Sequence, residues 1–361
     1  MDPNTTPGLS PPAGVEPNFV DPYSLQPQRI AVSIVGFVVL ALSVIIRVYA
    51  RVRLGKFNID DWVFLLAGAS FATIIALLIV AGAYGDGTHQ WNVTVAELKK
   101  VLFFHNLIEI VYAVTMVTIK YVILRQIQSI FFPHDHSPLA SRTILLLIWA
   151  NILLYTSLGL SIVLQCVPRE KIWNTEIEGT CINTNVSITV VTALNVISDI
   201  SISVIPVVSI WKLRLSSMKK LKASAVFAVG IFAIVASIIR LYYGLQLFYT
   251  NDVTWAASPM GQWSIVEFIT GFLVACFPYV PYVFETLLGR REKTPSMPAS
   301  WHGGGSHNPT KPRNPRIRVE RSWKTLKGQE EESQGISYKV TVLMQESDEM
   351  AASHSNHGYI T

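Results

Sequence analysis

Seven stretches of the chain are almost free of charge and long enough to cross a bilayer. They run over residues 30–50, 60–83, 101–124, 142–165, 185–210, 221–248 and 259–285. A hydrocarbon core of about 30 Å asks for about 20 mostly apolar residues per helix. The apolar residues run on continuously and do not alternate with polar ones, as the strands of a barrel would. Backbone groups in hydrocarbon must be satisfied within the segment, so the runs are predicted to be helices. The expected fold class is an all-α membrane protein, a seven-transmembrane helix bundle over 30–288. An N-terminal segment, 1–29, precedes it and a tail, 289–361, follows. The third stretch is the least clean, because it contains His105, Glu109 and Lys120.

Composition agrees. Charged residues make up 15% of the chain, against about 25% in soluble domains, and the deficit is concentrated in the apolar runs. The net charge of +5 comes from basic residues in short loops, which topology explains better than nucleic acid; no nucleic-acid partner is expected. Arg51, Arg53, Lys56, Arg125, Arg142, Lys212, Arg214, Lys219, Lys220 and Lys222 fall on one side, and Arg29, Lys99, Lys100, Arg169 and Lys171 on the other. The richer side is expected in the cytosol. That puts the N-terminus outside, the C-terminus inside and, by default, the protein in the plasma membrane. Residues 1–29 are polar and proline-rich, without the layout of a cleavable signal peptide. The sequons at Asn4 and Asn92 fall on the expected outer side, where glycosylation is possible.

Of the three cysteines, Cys166 and Cys181 both lie in the loop between spans four and five. A bridge there would close a loop of about 15 residues, worth about 3 kcal/mol in the chain-entropy view, and would hold the loop as a lid. The alternative is two free thiols. Cys276 reads as a small packing residue.

Ionisable residues inside spans are costly and tend to face the bundle interior. Glu109, Asp199, Arg240 and Glu267 fall within roughly 10 Å of each other in depth at about 1.5 Å per residue. Asn195 lies one turn from Asp199. Arg240 is expected to pair with Glu267 or Asp199. Two readings stay open: a polar cavity serving a ligand or an ion, or a structural ion pair that locks the helices. At the cytosolic face Asp60-Asp61-Trp62 opens span two, as a cap and an interface anchor. Lys120 is expected to reach Asp60 or Asp61, which would make a latch between spans two and three. Pro206, Pro278 and Pro281 are expected to kink spans five and seven. No lysine lies between Met260 and Glu285, so a retinal Schiff base in span seven is not expected, nor any other cofactor or a metal site. The tail reads as mostly disordered, basic at first and acidic later.

These pieces together resemble the fungal rhodopsin-domain integral membrane family, which includes the satratoxin-cluster membrane protein and the Pth-type receptor-like proteins. The matching residues are Arg47-x-Tyr49-x-Arg51, Asp60-Asp61-Trp62, Gly85-x-Gly87-x-His89, Lys120, Cys166-x-Pro168 with Trp173, Gly179 and Cys181, Asn195-x-x-Ser198-Asp199, Pro206 with Trp211-Lys212-Leu213, the run from Gly230 to Arg240, and Trp263-x-x-x-Glu267 with Pro278 and Pro281. The resemblance covers roughly 30–290. The family's Tyr-x-Arg-x-Phe run after the span-three lysine is replaced by Ile127-Gln128-Ser129-Ile130-Phe131, and the cysteine-rich outer domain of some relatives is missing from residues 1–29. The resemblance implies a receptor-like bundle, and the missing span-seven lysine implies one without retinal. It would sense a small-molecule ligand and address a G-protein or another cytosolic partner through inner loops and tail. The competing expectation is a membrane component of a secondary-metabolite pathway that transports or scaffolds. An enzyme is not expected, because no HExxH or GxSxG run is present.

Overall fold

The structure is a computed structural model. It describes residues 2–55, 57–131, 138–174, 176–212, 217–288, 318–322 and 337–341. The chain divides into two units, Met1–Glu292 and Lys293–Thr361.

In the first unit, seven long apolar helices are found among the described residues. They are α1 (Gln26–Leu54), α2 (Ile59–Ala83), α3 (Val95–Phe131), α4 (Pro138–Val163), α5 (Thr184–Lys212), α6 (Ser217–Gln246) and α7 (Val253–Cys276), and a short α8 (Val280–Leu287) follows. Local signals set their ends. Gly55, at a φ of 61°, stops α1 in the left-handed conformation that glycine adopts without strain. Asp61 Oδ2 accepts from the Asn58 N–H ahead of α2. Pro278 ends α7, and a 3-10 turn, Phe277–Tyr279, leads into α8. Pro206 lies within α5 without ending it.

The helices pack in sequence order, and α1 closes the ring against α7, while α3 touches α2, α4, α5 and α7 and occupies the middle. Helix α3 runs well past the expected 101–124 at both ends. Its 37 residues span roughly 55 Å at 1.5 Å per residue, well beyond the hydrocarbon core. Polar residues such as Glu97 and Gln126 fall outside any apolar window, yet they continue the helix.

The bundle turns small and polar residues inward and leaves apolar ones outside. Helix α1 buries Arg29, Ser33, Gly36, Leu40, Ser43, Arg47 and Ala50, spaced three and four apart as one helical face. Its Ile34, Phe37, Leu42 and Ile45 are exposed, as residues facing lipid are. Small residues at helix contacts allow the close approach on which packing in lipid depends. The centre is a cluster of rings between α2, α3 and α7. Phe71 stacks on Phe272 with centroids 5.5 Å apart, and Phe64, Phe268 and Tyr112 complete it.

In the second unit β3 (Arg318–Ser322) and β4 (Ser337–Thr341) pair antiparallel, with Arg318 opposite Thr341 and Ser322 opposite Ser337. Composition averaged over the whole tail is insensitive to two five-residue segments. The rest of the disorder expectation lies outside the described residues.

Candidate functional site: a capped cavity above a buried charge network

Two loops close one end of the bundle. In the α4–α5 loop, Cys166 and Cys181 form a disulfide across the two-residue strands β1 (Cys166–Val167) and β2 (Thr180–Cys181), which pair antiparallel. The α2–α3 loop is tied to α1 and α7. Arg29 on α1 donates from Nη1 to Asp86 Oδ2 at 2.7 Å and from Nη2 to the Asp86 carbonyl at 2.9 Å and to Ser258 Oγ on α7 at 2.8 Å. Gly87 lets the loop pass this close: its φ is 93° and a Cβ there would fall 2.6 Å from Arg29 Nη2. His105 Nε2 on α3 lies 3.1 Å from Asp86 Oδ2. Burial by itself would raise the Asp86 pKa, but His105 and Arg29 outweigh it and hold the carboxyl below its ordinary value. Farther out, His89 stacks between Trp91 and Trp255, at 4.3 and 4.1 Å, and its Nδ1 lies 2.6 Å from Asp252 Oδ2.

Beneath the two loops is a cavity of about 350 Å³, at the small end of the roughly 300–1,000 Å³ usual for ligand sites. Every one of the seven long helices contributes to its wall, and Ile172 and Ile182 of the disulfide loop roof it. The wall is mostly apolar, with Arg29, Asp86, His105, Glu109, Tyr112 and Arg240 as its ionisable members. Arg240 forms part of its floor.

Below that floor a network joins five helices. Arg240 Nε on α6 lies 3.1 Å from Glu267 Oε2 on α7, and its guanidinium sits 4.9 Å above the Tyr112 ring. Asn195 on α5 is the hub. Its Nδ2 donates to Glu267 Oε1 at 2.7 Å and to Asp199 Oδ2 at 3.2 Å. Its Oδ1 accepts from Lys120 Nζ on α3 at 2.7 Å and from the Tyr155 hydroxyl on α4. Lys120 Nζ also lies 2.8 Å from Asp199 Oδ1, and the Ser237 hydroxyl donates to Asp199 Oδ2. Two cations face two carboxylates, all nearly sealed from solvent (Lys120 4%, Asp199 9%, Arg240 2%, Glu267 6% exposed). The charges cancel across the set, which is the condition for tolerating them so deep in the bundle.

A third cluster holds the opposite end together. Asp61 Oδ1 accepts from Arg47 Nε at 2.9 Å and from Arg51 Nε at 3.1 Å. Arg47 also donates to the Ala275 carbonyl at 3.2 Å, and Gln126 Nε2 to the Val274 carbonyl at 2.9 Å. Pro278 has no N–H to offer Val274 four residues back, so Gln126 takes the place of the missing helix bond.

The family model for the fungal rhodopsin domain matches residues 46–286. The chain belongs to that family. Among curated relatives, a SAT4 family membrane protein of Emericella nidulans is 34% identical over 218 residues, which is 59% of this chain and 54% of the relative. The aligned stretch thus spans about half the length of that relative. The Fugralins biosynthesis cluster protein 2 of Gibberella zeae is 26% identical over 293 residues, 77% of this chain and 71% of the other. With seven apolar helices and this family, the chain is a multi-pass membrane protein. A retinal Schiff base does not fit these residues: α7 holds no lysine, and the Lys120 amine on α3 is engaged by Asp199 and Asn195.

Of the sequence-singled residues, Asn195, Asp199, Arg240 and Glu267 come together in the network, and Arg240 pairs with Glu267. Glu109 stands apart from them, on the cavity wall. The proposed latch is corrected. Lys120 reaches neither Asp60 nor Asp61; Asp61 takes Arg47 and Arg51, and Asp60 takes the Tyr121 hydroxyl at 3.1 Å and Arg125 at 3.5 Å. The reason is the face of α3. Tyr121, at nearly the same depth, does reach Asp60, whereas Lys120, about 100° around the helix, meets Asp199 and Asn195 of α5. Asn4 is exposed, whereas Asn92 Oδ1 accepts from the Asn18 N–H and the Thr94 hydroxyl donates to Glu97. Sequence reasoning missed Arg29, Asp86, Arg47, Gln126, Tyr155 and Ser237 as members of these clusters. Arg29 and Arg47 were available as basic residues recurring on the small, polar face of span one.

Proposed function

We propose that this protein is a receptor-like sensor. A small ligand enters the capped cavity from outside the cell, and the change reaches the cytosolic face through the buried network. The observation that carries the reading is the shared Arg240: it forms the floor of the cavity and, through Glu267 and Asn195, belongs to a charge network spanning α3 to α7. A ligand that moves one guanidinium therefore acts on five helices together. The basic loops support an outside disulfide end and a cytosolic opposite end, and the plasma membrane is the default placement. The partner is a cytosolic signalling protein, first of all a G-protein α subunit, met by the basic inner loops and the tail. The test is co-purification of the tagged full chain with G-protein α subunits and a cAMP readout in a deletion strain. Reduced signalling on deletion, restored by the intact chain and not by Arg240→Ala, is expected. Unchanged signalling in the deletion strain would overturn the reading.

A second reading is favoured by one specific observation, the relative named as a biosynthesis cluster protein. On that reading the same cavity belongs to a membrane component of a secondary-metabolite pathway. Metabolite profiles of the deletion strain, inside and outside the cell, test it. An unchanged profile in both compartments removes it.

A further inference from the structure

The ligand-pocket reading above does not say what the ligand carries; the cavity does. Six buried polar atoms on its wall lack hydrogen-bond partners: Asp86 Oδ1 and His105 Nε2, whose residues already pair with each other, and Arg240 Nε and Nη2, the Tyr112 hydroxyl and Asn106 Nδ2. Arg240, Tyr112 and Asn106 are more than nine-tenths buried. Arg240 is the most demanding of them. Its Nε lies 3.1 Å from Glu267 Oε2, yet neither atom makes a hydrogen bond there. The other Glu267 oxygen is committed to Asn195. The guanidinium is thus neutralised in charge but unused as a donor, and its fork abuts an apolar chamber.

An unmade bond of a buried charged group costs more than one of a neutral group. A planar carboxylate is the group that fits a guanidinium fork best. The other cationic groups of the wall are not free to compete, since Arg29 is closed on Asp86 and Ser258 and His105 Nε2 lies 3.1 Å from Asp86 Oδ2. Glu109 is the opposing group, and it is the anchor that a cationic ligand would choose.

We propose that the cavity binds a compact amphiphilic carboxylate, its acid group on Arg240 beside Tyr112 and its apolar body against Leu158, Ile162 and Ile188. A carboxylate on Arg240 competes with Glu267 for the same guanidinium. Occupancy therefore loosens the α6–α7 ion pair and alters the hydrogen bonds of Asn195, which is how binding reaches the network.

The experiment uses the full chain in nanodiscs, with empty nanodiscs as the blank, and three probes of equal chain length: decanoate, decanol and decylamine. Saturable binding is expected to favour decanoate over decanol by about tenfold or more, the equivalent of one charge-assisted hydrogen bond. Arg240→Gln combined with Glu267→Gln removes both charges together and is expected to abolish that preference. Ala257→Phe, which fills the cavity without touching the network, is expected to abolish binding of every probe. Equal affinity for decanoate and decanol, a preference retained in the double variant, or no saturable decanoate binding overturns the carboxylate assignment. Tighter binding of decylamine also overturns it, while leaving a ligand cavity in place with Glu109 as anchor. Loss of the cavity reading itself looks different: probe binding that Ala257→Phe does not change.

Discussion

Lys120→Met is the perturbation that most directly tests whether the buried network holds the bundle. It removes one of two cations that balance two carboxylates and leaves Asp199 with no opposite charge in contact. Breaking a buried pair by taking one member costs about 3–5 kcal/mol. Lys120 also holds Asn195 Oδ1 at 2.7 Å, and one lost hydrogen bond adds about 1 kcal/mol. The expected loss is about 5 kcal/mol. Lys120→Met with Asp199→Asn restores neutrality, so the double variant is expected to be more stable than the sum of the singles implies, by at least about 2 kcal/mol. A built-in control is the neutral pair Ser198 Oγ to Asn151 Oδ1, 2.7 Å apart. Interhelical hydrogen bonds of that kind contribute about 0.6 kcal/mol in lipid, so Ser198→Ala sets the scale. The protein supplies its own probe: Cys276 is buried and outside the disulfide, so a thiol-reactive dye reports unfolding in mixed micelles of rising denaturing-detergent content. If Lys120→Met costs no more than Ser198→Ala, or if the costs of Lys120→Met and Asp199→Asn simply add, the network does not hold the bundle in the way argued.

Three further predictions address other sites. Asp86 has a pKa held below the ordinary 3.8 in the folded protein. Its contribution to stability is therefore full above the unfolded value and is lost as pH falls through the folded one; Asp86→Asn is expected to flatten the acid limb of a melting-temperature profile, and an unchanged limb refutes the pairing. Gly36→Val would set a Cβ 3.0 Å from Ile265 Cγ2 and 3.2 Å from Phe71 Cζ, so an overpacking loss of about 1–3 kcal/mol is expected, and wild-type unfolding would show that α1 is free to move off α7. Gln126→Leu leaves the Val274 carbonyl without its donor at an expected cost of about 1–3 kcal/mol, and in a Pro278→Ala background, where the helix N–H is restored, most of that cost should disappear on the same thiol-dye assay.

Sequence alone determined that lipid is the solvent for this chain, how many times it crosses, and that Asn195, Asp199, Arg240 and Glu267 turn inward. These follow from the length and apolarity of single segments and from the cost of a charge in hydrocarbon, which are local quantities. The pairing of Arg240 with Glu267 was also within reach, since sequence-adjacent helices at matching depth leave few alternatives. Tertiary structure alone decided the partners of Lys120 and Asp61. A lysine stem reaches any of several helices, and the choice depends on how α3 is rotated. The closing of the cavity by loops from two places in the sequence, and the help that Gln126 and Arg47 give to carbonyls beside Pro278, are likewise contacts between distant segments. A one-dimensional reading gives the depth of each charge, but which helix face meets it is settled only when all seven helices pack together.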